Sequence, residues 1–248
     1  MRSASRAVFA GCVLCGLDTG EDTGERYFCA ACRRDLPRIP VACGRCGQPV
    51  SVPVPFEAGC AECVLRPPPF RSARAALLYT FPVDSALKAL KFGNRLHYAP
   101  AFASLMMVEL ETHFQHVDAL LPVPLHRWRH ATRGFNQALE LCRPLARRSG
   151  LPIVRITRRV RSTRPQTGLD AAARRKNLRN AFAVAGKLEC RHPLIIDDVM
   201  TTGETCRQLA NVLLQAGARD VSVLTAARAA PLSPLPAETY SRAQCRGK

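Results

Sequence analysis

At 248 residues the chain has room for one α/β domain of ordinary size and a smaller module rather than one large core. Hydrophobic residues make up 47% and aromatic residues only 6%, with Trp128 the sole tryptophan, so alanine and branched aliphatics must fill a globular interior. The formal charge of +17 implies affinity for polyanions or phosphorylated ligands. No window approaches the roughly 18–20 apolar residues of a membrane span. The start, MRSASRAVFAG, lacks the apolar stretch of a secretory signal, so membrane insertion and secretion are both excluded as expectations.

The first element is a cysteine repeat. Cys12, Cys15, Cys29 and Cys32 are followed by Cys43, Cys46, Cys60 and Cys63, and both sets read C-x2-C-x13-C-x2-C. Each CxxC knuckle presents two sulfurs from one turn, so four thiolates at this spacing close a tetrahedron around Zn²⁺, and two sets fit two ions. Gly16 and Gly47 fall where such a knuckle needs a positive φ. Few large apolar residues lie between Cys12 and Cys63, so metal is expected to serve as the core; structural zinc in small fingers supplies roughly 10–16 kcal/mol. Sequential ligation is favoured because the repeated loop reads as duplication of a complete ribbon. Cross-braced ligation, and redox-active or disulfide-bonded pairs, are the alternatives. A full shell of four thiolates leaves no open position, which argues against catalysis at the metal. CxxC pairs suit metal better than staples, which places the chain in a reducing cytoplasm. Arg66-Pro67-Pro68-Pro69 then reads as a stiff linker. The expected units are a double zinc ribbon at 1–66, an α/β domain at 67–230 and a loose tail at 231–248.

Beyond the linker the pattern predicts a strand at Ala73–Tyr79, a helix at Ala86–Phe92, and a second helix at Pro100–His113 with Ala101, Leu105 and Val108 at helical spacing. Asp118–Val123 has the run length of a buried parallel strand. A helix over Phe135–Ser149 stops at Gly150, and short strands are expected at Ile153–Ile156 and Ala181–Ala185. Pro193–Asp198 is the clearest strand; it leads into a helix ending near Gly217 and a last strand at Val221–Thr225. This alternation implies a parallel sheet with helices on both faces. Between Arg127 and Arg179 fifteen Lys and Arg stand against two acids, a local excess of +13 that reads as a phosphate-handling face or a plain solvated surface. Cys142, Cys190, Cys206 and Cys245 stand alone as ordinary thiols.

Leu194–Thr205, LIIDDVMTTGET, carries the most specific chemistry. A strand end places Asp197 and Asp198 at the carboxyl edge of the sheet, where open α/β folds bind ligands, and carboxylates are good acceptors for paired sugar hydroxyls. Thr201, Thr202, Gly203, Glu204 and Thr205 open the next helix, so free backbone N–H groups, hydroxyls and the positive helix end can surround a phosphate. The bland reading is a capped helix after a strand.

This segment resembles the 5-phosphoribosyl-1-pyrophosphate (PRPP) motif of type I phosphoribosyltransferases. ALKALKFGNR at Ala86–Arg95, VPLHRWR at Val123–Arg129, RGFNQA at Arg133–Ala138 and NLRNAF at Asn177–Phe182 narrow the resemblance to the ComF family of that fold. It covers nearly all of the chain except the extreme N-terminus and the proline-rich tail. The resemblance implies catalytic roles for Asp197 and Asp198, which hold the ribose hydroxyls. PRPP is held along Asp197, Asp198, Val199, Met200, Thr201, Thr202, Gly203, Glu204 and Thr205, with the 5-phosphate at Thr201–Thr205. Val123, Pro124, Leu125, His126 and Arg127 begin a loop beside pyrophosphate, the basic stretch near Arg161–Lys176 is a mobile flap, and Mg²⁺ bridges pyrophosphate and ribose oxygens. Displacement at C1 passes through an oxocarbenium-like state, which needs electrostatics and positioning more than a nucleophile. One departure matters: purine-salvage relatives carry an aspartate at the position of Thr201 to handle a purine proton, which argues against a hypoxanthine- or guanine-type acceptor.

His126 and His130 flank Trp128 and are either phosphate donors or surface histidines; Arg133 and Asn136 either reach the ligand or cap the following helix. The expected function is phosphoribosyl transfer from PRPP to an acceptor with pyrophosphate release. The alternative, which ComF resemblance implies, is a non-catalytic protein that senses PRPP and binds single-stranded DNA during uptake in competence. A zinc-stabilised scaffold with a vestigial pocket is the third reading. Oligomer formation is left open.

Overall fold

The computed structural model describes residues 11–19, 27–125, 134–160 and 181–230. In the cysteine segment two short helices, α1 (Ala30–Arg34) and α2 (Ala61–Leu65), start from the second knuckle of each set, with Cys29 and Cys60 at their N-caps and Cys32 and Cys63 in their turns. Next come β1 (Ser72–Leu78), α3 (Val83–Phe92), α4 (Tyr98–His113), β2 (Ala119–Pro122) and α5 (Gln137–Ser149). The chain continues through β3 (Thr157–Arg159), β4 (Phe182–Val184), β5 (Pro193–Met200), α6 (Glu204–Gln215) and β6 (Ser222–Arg228). Four strands form one sheet in the order β1-β6-β5-β2, every pair parallel, while β3 and β4 make a separate antiparallel pair. The register sets Leu194 opposite Ser222 and Asp197 opposite Thr225, so the carboxyl ends of β5 and β6 lie at one rim.

Helices cover both faces of the sheet, as the alternating sequence pattern demands. On one face α3, α4 and α5 bury Leu87, Leu90, Phe102, Met106, Leu141 and Leu145 against Leu194, Ile196 and Leu224. On the other, α6 packs Cys206, Leu209 and Leu213 against Ile195, Leu121 and Val223. Alternate β5 residues therefore enter opposite cores, which is why PLIIDD reads as one continuous apolar run. Helix α4 is apolar almost all round and presents Ala101, Phe102, Leu105 and Met106 inward. Val108, placed with Ala101 and Leu105 by spacing, is instead 52% exposed, because the buried stripe turns through Met106 and Leu110.

Two other expectations shift. Ile153 makes only a single parallel bridge to Leu120, and the strand begins later, at Thr157, where it pairs with Phe182–Val184. Strands β5 and β6 also run further than their apolar residues suggested, since backbone pairing continues through Val199 with Ala227 and Met200 with Arg228. The proline-rich tail lies outside the described residues.

The cysteine segment does not stand apart from the sheet domain. Val13, Phe28 and Leu36 are buried in the same core as α3 and α4, and the Leu78 amide donates to the Pro37 carbonyl at 2.8 Å. The linker is fastened as well. Arg207 of α6, 6% exposed, donates to the carbonyls of Arg66 and Pro67 at 2.8 and 2.9 Å, and Arg66 pairs with Glu204 at 2.7 Å.

Candidate functional site

Both cysteine sets converge. In each of Cys12/Cys15/Cys29/Cys32 and Cys43/Cys46/Cys60/Cys63 the four sulfurs lie within 4.8 Å of one another, the sequential grouping. Neighbouring sulfurs are 3.6 to 3.9 Å apart. A disulfide needs about 2.05 Å, whereas Zn–S bonds of about 2.3 Å in a tetrahedron put sulfurs roughly 3.8 Å apart. The residues thus fit zinc and do not fit bridges. Gly16 and Gly47 take φ of 78° and 67°, closing the knuckles. Burial would raise the Cys12 and Cys43 thiols, but backbone N–H groups more than offset it and hold both at about 7, whereas burial pushes Cys15, Cys32, Cys46 and Cys63 up, so without a cation each set favours only part of the thiolate charge a metal requires. Among the described residues Val50 and Val54 are the partly buried apolar side chains packed against the second set, so metal is the natural centre of that half.

At the carboxyl rim, β5 ends in the two acids. Asp197 is half-buried; Asp198 is 3% exposed and accepts from Lys91 Nζ at 3.0 Å. The Asp198 amide donates to Asp197 Oδ1 at 2.9 Å. Burial raises Asp197 well above the usual carboxylate range, and the adjacent Asp198 charge raises it further, beyond what Lys91 offsets. Burial also works against Asp198, yet the Lys91 ammonium and the bonds from Asp197 and the Val199 amide hold it below its ordinary value. The two acids are therefore driven in opposite directions, Asp197 toward the protonated form and Asp198 toward the carboxylate. Both acids sit at the rim as the sequence suggested, but only Asp197 is partly exposed; Asp198 is engaged by an internal cation.

The turn after β5 has the expected form. Thr201 and Thr202 are exposed, Gly203 adopts φ 73° at the N-cap of α6, and the Glu204 amide donates to Thr202 Oγ1 at 3.4 Å. That left-handed position disfavours any residue with a Cβ and turns the chain sharply into the helix. The Glu204 side chain faces away from the turn, accepting from Arg66 at 2.7 Å and from Gln208 at 2.8 Å; only its backbone remains beside a phosphate position. Met200 is buried in the core beneath.

Val123 and Pro124, at the end of β2, reach the same rim, and the Val123 amide donates to Ile196 O at 3.0 Å. Asn136 closes the base of the loop that starts there. Its Oδ1 accepts from the Ala138 and Leu139 amides and its Nδ2 donates to Val123 O at 3.0 Å, so its role is to cap and orient α5. Asn136→Ala is expected to cost about 1 kcal/mol as a lost cap, or a melting shift of roughly 2–4 °C by calorimetry. His126, Arg127, Trp128, His130, Arg133 and the stretch Arg161–Lys176 lie outside the described residues.

Two residues escaped the sequence reading. Lys91 lies four residues after Leu87 on the buried stripe Val83, Leu87, Leu90 of α3; a charge on an apolar stripe was the available signal. Arg228, the lone charge closing an apolar strand, is 4% exposed and donates to the Met200 and Thr201 carbonyls. At the opposite end of the sheet a cleft of about 310 Å³ is lined by Gly44, Phe56, Arg71, Arg74, His113 and His116.

Two four-cysteine groups ahead of a parallel α/β sheet, whose acid-ending strand turns into a helix, define a type I phosphoribosyltransferase fold with a zinc-ribbon head. No family model matches the chain. It is 37% identical over 202 residues to the DNA utilization protein YhgH of Salmonella typhimurium, covering 79% of this chain and 88% of that protein. It is 34% identical over 219 residues to the protein of the same name from Escherichia coli K12, covering 86% and 94%. It is 30% identical over 211 residues to competence protein F of Haemophilus influenzae, covering 82% and 90%. The chain belongs to the ComF family. Among solved structures, glutamine PRPP amidotransferase from Bacillus subtilis resembles 57% of this chain over 30% of its own, at 18% identity and a TM-score of 0.38.

Proposed function

We propose that the rim at the end of β5 binds PRPP with Mg²⁺ and that the protein transfers its phosphoribosyl group to an acceptor, releasing pyrophosphate. The observation that carries this reading is the placement, within one strand-to-helix junction, of two adjacent carboxyl groups and a glycine-capped turn open to solvent. Asp197 and Asp198 would orient the ribose hydroxyls, and the exposed Thr201 and Thr202 with the first α6 amides would hold the 5-phosphate. The loop starting at Val123 would face pyrophosphate. When bound, Mg²⁺ neutralises the leaving pyrophosphate, and the oxygens it needs come mostly from substrate. Zn²⁺ in the two cysteine sites would be structural. No helix among the described residues is long and apolar enough to cross a membrane, and separate thiols held for metal suit a reducing cytoplasm.

The test is titration calorimetry with PRPP and Mg²⁺, followed by pyrophosphate release across a panel of bases and amines. Micromolar binding with release for at least one acceptor supports transfer; binding without release supports sensing, and no binding to the metal-loaded protein sinks both.

A second reading has its own support: the same pocket senses PRPP while the protein handles single-stranded DNA. The relatives' names speak of DNA utilization and competence. The cleft between the second cysteine set and the sheet combines Arg71 and Arg74 with Phe56, a ring 43% exposed and free to stack a base. Burial keeps His113 and His116 below their usual range, so the arginines supply the charge near pH 7. Steeply salt-dependent strand binding that survives loss of Asp197 and Asp198 would favour this reading.

A further inference from the structure

Arg228 closes β6 beside Ala226 and Ala227, where backbone pairing to β1 and β5 needs no guanidinium. It is nonetheless buried and makes a two-ended connection. Nη1 donates to the carbonyls of Met200 at 2.8 Å, of Thr201, and of Ala229 at 3.4 Å. Nη2 donates to Gln48 Oε1 at 2.7 Å. Met200 and Thr201 carry β5 into the phosphate turn, whereas Gln48 directly follows the Cys43–Cys46 knuckle and its carbonyl accepts from the Cys43 amide at 2.8 Å.

The knuckle end is itself fixed. Gly47 lies so close to β1 that a Cβ there would stand 3.1 Å from the Ala73 carbonyl oxygen. One guanidinium thus joins a metal-held knuckle to the turn that opens α6. The connection is costly: among the described residues Arg228 Nε and Gln48 Nε2 are buried without partners, a penalty that an apolar pair in this place would avoid. Burial disfavours the Arg228 charge.

We propose that Arg228 is a positioning residue that hangs the phosphate turn from the second four-cysteine site, so that an intact knuckle is a condition for tight grip on the sugar phosphate. The ligand part of this inference rests on the PRPP reading above. The coupling of knuckle to turn does not.

The experiment compares the zinc-loaded full chain with Gln48→Leu and Arg228→Lys, after confirming two zinc ions per chain in each. Leucine removes the acceptor and leaves Arg228 in place; lysine keeps the charge but loses the planar fork. Ribose 5-phosphate and inorganic pyrophosphate are titrated separately, and amide exchange is followed at Thr201–Glu204 and at Ala229, whose amide donates to Met200 O at 3.0 Å. The expected result is about tenfold weaker ribose 5-phosphate binding, pyrophosphate affinity unchanged within about twofold, and faster exchange confined to those amides. A general folding defect would weaken both ligands and speed exchange throughout, which overturns the proposal. So does wild-type exchange in both variants. If the parent chain binds neither ligand, the PRPP reading falls, and amide exchange alone decides the coupling.

Discussion

Stripping the metal from the intact chain is expected to lower the melting temperature of the whole molecule by roughly 10 °C or more, rather than to melt a separate head. Metal supplies the folding free energy of such modules, about 10–16 kcal/mol in small fingers, which exceeds what the few apolar contacts around Cys43–Cys63 can replace. The first cysteine set is tied into the main core through Phe28 at 1% exposure and Leu36 at 4%. Their withdrawal uncovers the α3–α4 face and forfeits about 1.5–3 kcal/mol each, at roughly 2–4 °C per kcal/mol for a chain of this size. Calorimetry before and after chelation, with metal content measured in parallel, is the check. An unchanged main transition after complete metal loss would show that the sheet domain stands without its head.

The second large effect concerns the carboxyl pair, whose members are expected to respond oppositely. Asp198→Asn should weaken PRPP by about 100-fold or more, since it removes the charged acceptor for a ribose hydroxyl, and Asp197→Asn by about tenfold, since the carboxyl it removes is the one held protonated. Without ligand they should diverge. The Asp197 carboxyl is raised, so between the ordinary carboxylate range and its own titration the folded chain keeps a proton that the unfolded chain has lost. Stability therefore falls as pH rises through that window, and asparagine removes the slope and stabilises the free protein above it. The Asp198 carboxyl is lowered, so its contribution is present above the ordinary range and is lost as pH falls through its depressed value. Replacing it leaves Lys91 facing a protonatable neighbour without its anionic partner, at a cost of about 1.5–3 kcal/mol near neutral pH. Melting curves of both variants from about pH 4, the ordinary carboxylate range, to about pH 8 test the opposition. Parallel curves would mean that the two acids are not driven in opposite directions.

Much of this architecture was legible because local chemistry and tertiary demand agree. Gly150 at φ 75° ends α5 where the sequence placed a stop, and the repeated cysteine spacing favoured the sequential tetrads while leaving cross-braced ligation open, a choice the sulfur positions decide. The acid pair and the turn at Thr201–Thr205 were equally readable, because a buried parallel strand running into two acids and a small polar loop must bring them out at the carboxyl edge of its sheet. What stayed hidden was long-range pairing. That Lys91 would hold Asp198, that Glu204 would turn to Arg66, and that Arg228 would reach Gln48 depend on contacts across 107, 138 and 180 residues. The late start of β3 was hidden for the same reason, since its partner strand lies beyond Ala181. Val108 misled because spacing gives a stripe's period and leaves its centre undetermined.

The β3–β4 clasp has a topological consequence. Val160 donates its amide to Ala181 O at 2.8 Å, so the last described residue before Arg161 and the first after Asn180 are held together as neighbouring doorposts. Whatever lies between them in sequence can be lengthened, shortened or exchanged without moving the sheet, for the closure entropy changes only slowly with length.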